Sequence, residues 1–308
     1  MMTEGALLFD THAHVLSADL DRYPYSTLRG GARPPVSPMV FSVEELVREL
    51  DAGGVAHACI VQRATLYGYD NRYALDAAAA FPGRFVPVVV LDAQDPDSPG
   101  RLKSLAASHR LGGLRIVAPQ LTETDTAWLD GEEALGLWRA AAGLALPVTV
   151  ILYRRNNEAG RAALLGVARQ FRDLPILVDH VGVPHASTPE TRWAASQGIE
   201  YAIPPPPGFG IAESLAQFDE LGHVHFKVTD INFDRLEESH YDSADFLRKL
   251  ADRFGAARLL WGSDVGQSPA PYGEKIQRLH AAARLLDGRE RARFLGGTAL
   301  ELYGRALA

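Results

Sequence analysis

Several things are scarce in this 308-residue chain, and each scarcity removes a class of function. A single cysteine, Cys59, excludes an internal disulfide. It lies in the apolar run Ala58-Cys59-Ile60-Val61, where a buried, inert thiol is expected rather than a nucleophile. Only four of the 31 basic residues are lysines, and the 27 arginines are scattered without a run that could track phosphates. With a net charge of −7, nucleic acid is not an expected partner and a small-molecule substrate is. No stretch reaches ~18 uninterrupted apolar residues, so no membrane partner is expected. Met1-Met2-Thr3-Glu4 does not open a basic segment leading into a long apolar one, and a cytoplasmic location is the expectation.

What is present is ordinary in amount, 47% hydrophobic and 22% charged, but regular in order. Short β-rich runs at 6–12, 55–62, 85–91, 112–117, 146–152, 175–180, 223–229 and 257–262 read as strands. Between them, segments near 42–52, 70–81, 98–109, 131–143, 158–172, 210–221, 241–254 and 270–286 have helical spacing. Helix starts are marked by Ser42 three residues before Glu45, by Asp70 and by Asp242-Ser243; stops are marked by Gly53-Gly54, Pro82-Gly83, Gly143 and Gly255. Eight βα units in about 300 residues predict an α/β protein of the (β/α)8 TIM-barrel class, a single domain over residues 1–308 with loop insertions and short C-terminal helices. A doubly wound sheet would place a glycine-rich phosphate loop after its first strand, and Thr11-His12-Ala13-His14 stands there instead. Two stretches fall outside the repeat. Residues 16–40 are expected as a loop over the barrel mouth, and the proline-rich 203–210 as a surface crossing.

In such a barrel the chemistry sits where strands end. Strand one delivers His12 and His14, whose i, i+2 spacing sends both imidazoles to one face of an extended chain. Strand six ends in Val178-Asp179-His180-Val181-Gly182, where His180 is a candidate beside its carboxylate neighbour. Strand eight ends in Leu260-Trp261-Gly262-Ser263-Asp264, and a carboxylate after that apolar run is badly placed for a core and well placed for catalysis. Asp264 is the candidate general base for an attacking water, with His12, His14 and His180 polarising or orienting.

These residues, together with Phe294-Leu295-Gly296-Gly297-Thr298-Ala299-Leu300, resemble the amidohydrolase superfamily. More narrowly, Gln62 followed by Tyr69-Asp70-Asn71-Arg72, and Leu111-Gly112-Gly113-Leu114-Arg115, are similar to the branch containing 2-pyrone-4,6-dicarboxylate lactonase and the sugar-lactone hydrolases. The resemblance covers nearly the whole chain. It implies a (β/α)8 barrel in which the strand-eight aspartate is the general base, and the pyrone-lactonase branch implies catalysis without metal.

Many amidohydrolases use a strand-five His with a carboxylated strand-four Lys, or a His from each of strands five and six. Strand four lacks Lys and strand five lacks His, which excludes a two-metal site. The leading reading requires no cofactor; the alternative is a single Zn²⁺ held by His12, His14 and Asp264, with or without His180. Arg115 is the candidate for a substrate carboxylate or carbonyl, and Tyr153, Gln62, Tyr67, Asn71 and Lys227 are further lining candidates. No second Arg follows Arg115 closely, and strand seven runs on into Asp230 and Asn232, so a less charged or hydroxylated lactone is expected in place of the pyrone dicarboxylate. Arg63, Arg154, Arg155 and His225 receive no role.

The expected function is therefore a hydrolase opening the lactone of a small organic or sugar acid. A mononuclear Zn- or Mn-dependent decarboxylase or amide hydrolase of the same superfamily is the alternative, and a non-catalytic binding barrel the remote one. A homodimer is compatible with this reading.

Overall fold

The computed structural model describes residues 7–28, 41–119, 125–152, 157–182, 205–268 and 270–308. The chain alternates strand and helix in the order β1 (Phe9–Ala13), α1 (Val43–Ala52), β2 (His57–Val61), α2 (Ala64–Tyr67), α3 (Arg72–Ala80), β3 (Phe85–Val90), α4 (Ser98–Ser108) and β4 (Gly113–Ile116). It continues through α5 (Ala127–Asp130), α6 (Glu132–Gly143), β5 (Val148–Val150), α7 (Asn157–Gln170), β6 (Ile176–Val178), α8 (Ile211–Leu215) and β7 (Val224–Thr229). It ends with α9 (Asp230–Glu238), α10 (Ser243–Phe254), β8 (Leu259–Gly262), α11 (Tyr272–Ala282), α12 (Gly288–Ala292) and α13 (Thr298–Leu307). The eight strands are parallel and lie side by side in sequence order. Between β8 and β1 the ring is joined by a bridge pairing Ala13 with Val265, where His14 N donates to Val265 O at 2.9 Å and Asp264 N donates to His12 O at 2.7 Å. This is the expected (β/α)8 barrel.

The apolar strand runs are buried along their whole length because both faces are covered, as in β3, Phe-Val-Pro-Val-Val-Val. Inward residues Phe9, Cys59, Val86, Val88, Leu177 and Leu260 fill the barrel, closed from below by Ala299 and Tyr303 of α13. Each large apolar side chain placed there contributes about 1.5–3 kcal/mol by leaving water. Burial also pushes the Cys59 thiol up, in keeping with an inert group. The chain re-enters from below through Gly296, where any Cβ would lie 2.4 Å from Leu7 O.

Local signals account for several boundaries. Ser42 and Glu45 form the expected capping box of α1, and Asp242 caps α10 by accepting from Ala244 N. Two expectations needed correction. The helix at 210–221 is the short α8 followed by a 3-10 turn, Ala216–Phe218. Helix α9 follows β7 with no linker, because Thr229 is at once the last strand residue and the N-cap, completing a capping box with Asn232. The apolar run through Ile231 and Phe233 hides that switch. Among the described residues no helix is long and apolar enough to cross a membrane.

Candidate active site

The site is built at the C-terminal end of the barrel, beginning with an irregularity in β1. Phe9 points into the barrel floor and so, by strict alternation, His12 and His14 would point out. The pairing with β2 shifts between Asp10 and Ala13, a bulge that reverses the parity and turns both imidazoles inward. Asp10 pins this bulge from outside the barrel, accepting from His12 N at 3.0 Å, Ser263 N at 2.9 Å and Tyr272 Oη at 3.1 Å. Gly262 makes room for it, since a Cβ there would stand 2.5 Å from His12 Cβ.

Three buried groups converge at this point. His12 Nε2 lies 3.3 Å and His14 Nε2 3.2 Å from Asp264 Oδ1, and all three side chains are at most 1% exposed. His14 Nδ1 meets Val61 O at 2.7 Å; a carbonyl only accepts, so Nδ1 carries the proton and Nε2 presents a lone pair. Asp264 sits in the left-handed region at φ 50°, which swings its carboxylate back over the barrel axis. Burial raises its carboxyl to about 6, and nearby His180, Lys275, Arg115 and Arg63 only partly oppose that. Burial also keeps the imidazoles neutral, with His14 brought down to about 3, His12 well below its usual range and His180 lowered.

His180 enters by a second backbone departure. With Leu177 inside the barrel, Asp179 should point in and His180 out; left-handed φ at His180 (53°) and Val181 (58°) brings both to the site. His180 Nδ1 contacts Thr229 Oγ1 at 2.7 Å, and its ring centroid is 5.2 Å from that of His12. The structure thus brings together His12, His14, His180 and Asp264, the four expected catalytic residues. It adds one the strand pattern alone did not single out, Asp179, whose Oδ1 is 3.2 Å from His12 Nδ1 and whose Oδ2 accepts from Arg115 Nε at 2.8 Å.

The expected substrate contacts fare differently. Lys227 is wholly buried, donating to Thr11 O at 3.0 Å with Asp179 Oδ1 at 3.5 Å, and it supports the site from within the barrel. Arg115 turns its Nε to Asp179. Gln62 donates to Gly68 O and Asp70 O, tying down the loop after β2. Asn71 exchanges hydrogen bonds with Val90, and Tyr67 accepts from Ser17 N within a cluster of Tyr23, Tyr25 and Tyr73. Asp230 pairs with Lys275 at 2.9 Å and Arg278 at 3.2 Å, while Asn232 donates to His180 O, so neither supplies the polar mouth expected of them. Arg63 reaches Gly266 O beyond Asp264. His225 stands beside Arg258 and His223, outside the site, and Tyr153, Arg154 and Arg155 lie outside the described residues. Among the described residues, Val90, Val117 and Ile151 at the ends of β3, β4 and β5 pack around Ala64.

Could this site hold a metal? Among the described residues, His12 Nε2, His14 Nε2 and both oxygens of Asp264 have no hydrogen-bond partner, although all are buried. Lone pairs facing one another without a proton or cation between them repel, and two imidazoles with one carboxylate are a suitable donor set for a single divalent cation. The residues fit.

The family model described as amidohydrolase matches residues 9–305. An L-fucono-1,5-lactonase from Burkholderia ambifaria is 28% identical over 278 residues, 85% of either chain. Among solved structures, a putative 2-pyrone-4,6-dicarboxylic acid hydrolase from Pseudomonas putida superposes with a TM-score of 0.68 at 24% identity, covering 98% of both chains. An amidohydrolase from Burkholderia multivorans with bound zinc gives 0.65 at 22% identity, covering 97% of this chain and 99% of its own. At these identities the structural likenesses speak for the fold.

Proposed function

Because the chain belongs to the amidohydrolase family, we propose that it hydrolyses a small lactone, with Asp264 as the base that activates water. The observation that carries this reading is the division of labour within one buried carboxylate. Oδ1 faces the two strand-one imidazoles, and Oδ2 has no partner among the described residues and is left to take a proton. A carboxyl raised to about 6 is still largely ionised at neutral pH, yet basic enough to hold a proton through the reaction. The similarity to a lactonase over most of both chains supports a cyclic ester as the substrate class.

In the proposed sequence, Asp264 Oδ2 removes a proton from water as its oxygen bonds to the lactone carbonyl carbon. When the ring C–O bond breaks, the same proton passes from Asp264 to the departing alkoxide, and the hydroxy acid leaves. His14 cannot stabilise the carbonyl oxygen as a hydrogen-bond donor, because its Nδ1 carries the proton and only its Nε2 lone pair faces the site. This favours the cation-bound reading over the metal-free one, with His12, His14 and Asp264 as the holders and Zn²⁺ as the ion. When bound, such an ion supplies Lewis-acid polarisation of the carbonyl and a more acidic water.

The test is hydrolysis of a panel of γ- and δ-lactones by protein of measured metal content, before and after chelation. Lactone turnover that falls with metal removal and returns with Zn²⁺ is expected. Full activity in the metal-free protein would reinstate the cofactor-free mechanism, and carboxylate substrates losing CO₂ in place of lactone turnover would establish the decarboxylase alternative.

A further inference from the structure

Three consecutive residues after β6, His180, Val181 and Gly182, have left-handed φ values of 53°, 58° and 63°. Two of them carry a Cβ, and such a backbone persists only where its surroundings hold it. Two holders come from the junction where β7 passes into α9 without a linker. Asn232 Nδ2 donates to His180 O at 2.9 Å, while Asn232 Oδ1 accepts from Thr229 N at 3.0 Å. One side chain thereby ties the turn that carries His180 to the cap of α9. Thr229 acts on the ring of the same histidine, its Oγ1 standing 2.7 Å from His180 Nδ1. Thr229, Asn232 and His180 are all at most 2% exposed, so bulk water does not compete for these bonds.

We propose that Thr229 and Asn232 are positioning residues for His180, the hydroxyl setting the plane of the imidazole and the amide fixing the left-handed backbone that carries it into the site. This rests on the reading of His180 as one of the residues that act on the lactone. A hydroxyl both donates and accepts, so Thr229 holds the ring whichever nitrogen carries the proton. An amide is the group required at position 232. Its oxygen completes the capping box and its nitrogen is left for the carbonyl, whereas a carboxylate there would cap the helix and turn a second oxygen on His180 O.

Thr229→Val tests the ring contact, since a methyl replaces the hydroxyl at nearly the same shape; Thr229→Ser keeps the hydroxyl. Crystal structures of the chelated, metal-free proteins read the ring without substrate and with no cation to hold it. The expected result is a wild-type imidazole bonded to Thr229, a displaced one in Thr229→Val and a restored one in Thr229→Ser. In Asn232→Asp the His180 carbonyl should turn away from position 232. With the most active lactone of the panel, kcat of Thr229→Val should fall by roughly 10- to 100-fold while KM stays within about threefold. Thr229→Ser should recover most of that loss. A structural role alone would lower the melting temperature of Thr229→Val and leave the kcat of the folded protein unchanged.

A wild-type imidazole away from Thr229 would overturn the inference, as would an unmoved ring or wild-type kcat in folded Thr229→Val, or an unmoved carbonyl in Asn232→Asp. If Thr229→Val does not fold, Thr229→Ala takes its place in the comparison with Thr229→Ser. Because ring and carbonyl are read without substrate, failure of the positioning is distinguishable from failure of the lactonase reading, which would show as no turnover of any lactone by the wild type.

Discussion

Asn71 shows how a polar side chain beside a site can belong to the scaffold. Its Oδ1 accepts from Val90 N at 2.7 Å and its Nδ2 donates to Val90 O at 2.9 Å and Tyr69 O at 3.0 Å, so it links the start of α3 to the end of β3. Asn71→Ala leaves those buried backbone groups unpaired. We expect a loss of about 1–3 kcal/mol in denaturant-induced unfolding and an almost unchanged KM; a large KM effect at wild-type stability would return Asn71 to the substrate. The same contrast explains what was legible at this scale. His12, His14, His180 and Asp264 could be read because strand ends face the mouth whatever their partners. Gln62, Asn71, Tyr67 and Lys227 occupy similar positions, but their roles depend on which carbonyl or carboxylate lies opposite, and a linear sequence does not carry that information.

At the scale of elements, the eight strands and most helices follow from periodicity and cap chemistry, whereas the features that shape the site are departures from it. The β1 bulge, the left-handed turn at His180-Val181 and the left-handed Asp264 each change which side chains face inward. Alternation rules applied to these strands would turn His12, His14 and His180 away from the site, whereas Asp179, which alternation does face inward, is distinguished only by the partners that the fold brings to it, His12, Arg115 and Lys227. Gly262 is the point where two elements depend on each other, since β8 can approach the bulge of β1 only without a Cβ. Gly262→Ala should therefore displace His12, costing about 1–3 kcal/mol of stability by overpacking and lowering kcat more than the stability loss explains. Wild-type turnover in that variant, measured on the lactone panel, would show that the close approach does not position the histidine.

Across the whole molecule, burial of neutral imidazoles makes the fold sensitive to acid well away from the site. Burial pushes His225 down to about 4, with Arg258 and His223 adding to the effect and Glu301 opposing it. The unfolded chain takes up this proton near the ordinary value of 6.5, and the folded one only near 4. Its stabilising contribution is complete above pH 6.5 and lost as pH falls from there toward 4, on the order of 3 kcal/mol at most for a shift of this size. Thermal melts from pH 7.5 to 4.5 should show the decline, and His225→Gln should flatten part of it; an unaltered slope would assign the acid sensitivity to other groups. The central claim concerns the barrel as a catalyst, and Asp264→Asn tests it most directly. Turnover of the most active lactone is measured alongside the melting temperature. The account predicts a folded protein whose kcat falls by about 10²-fold or more, whereas a folded Asp264→Asn that retains near wild-type turnover would contradict it.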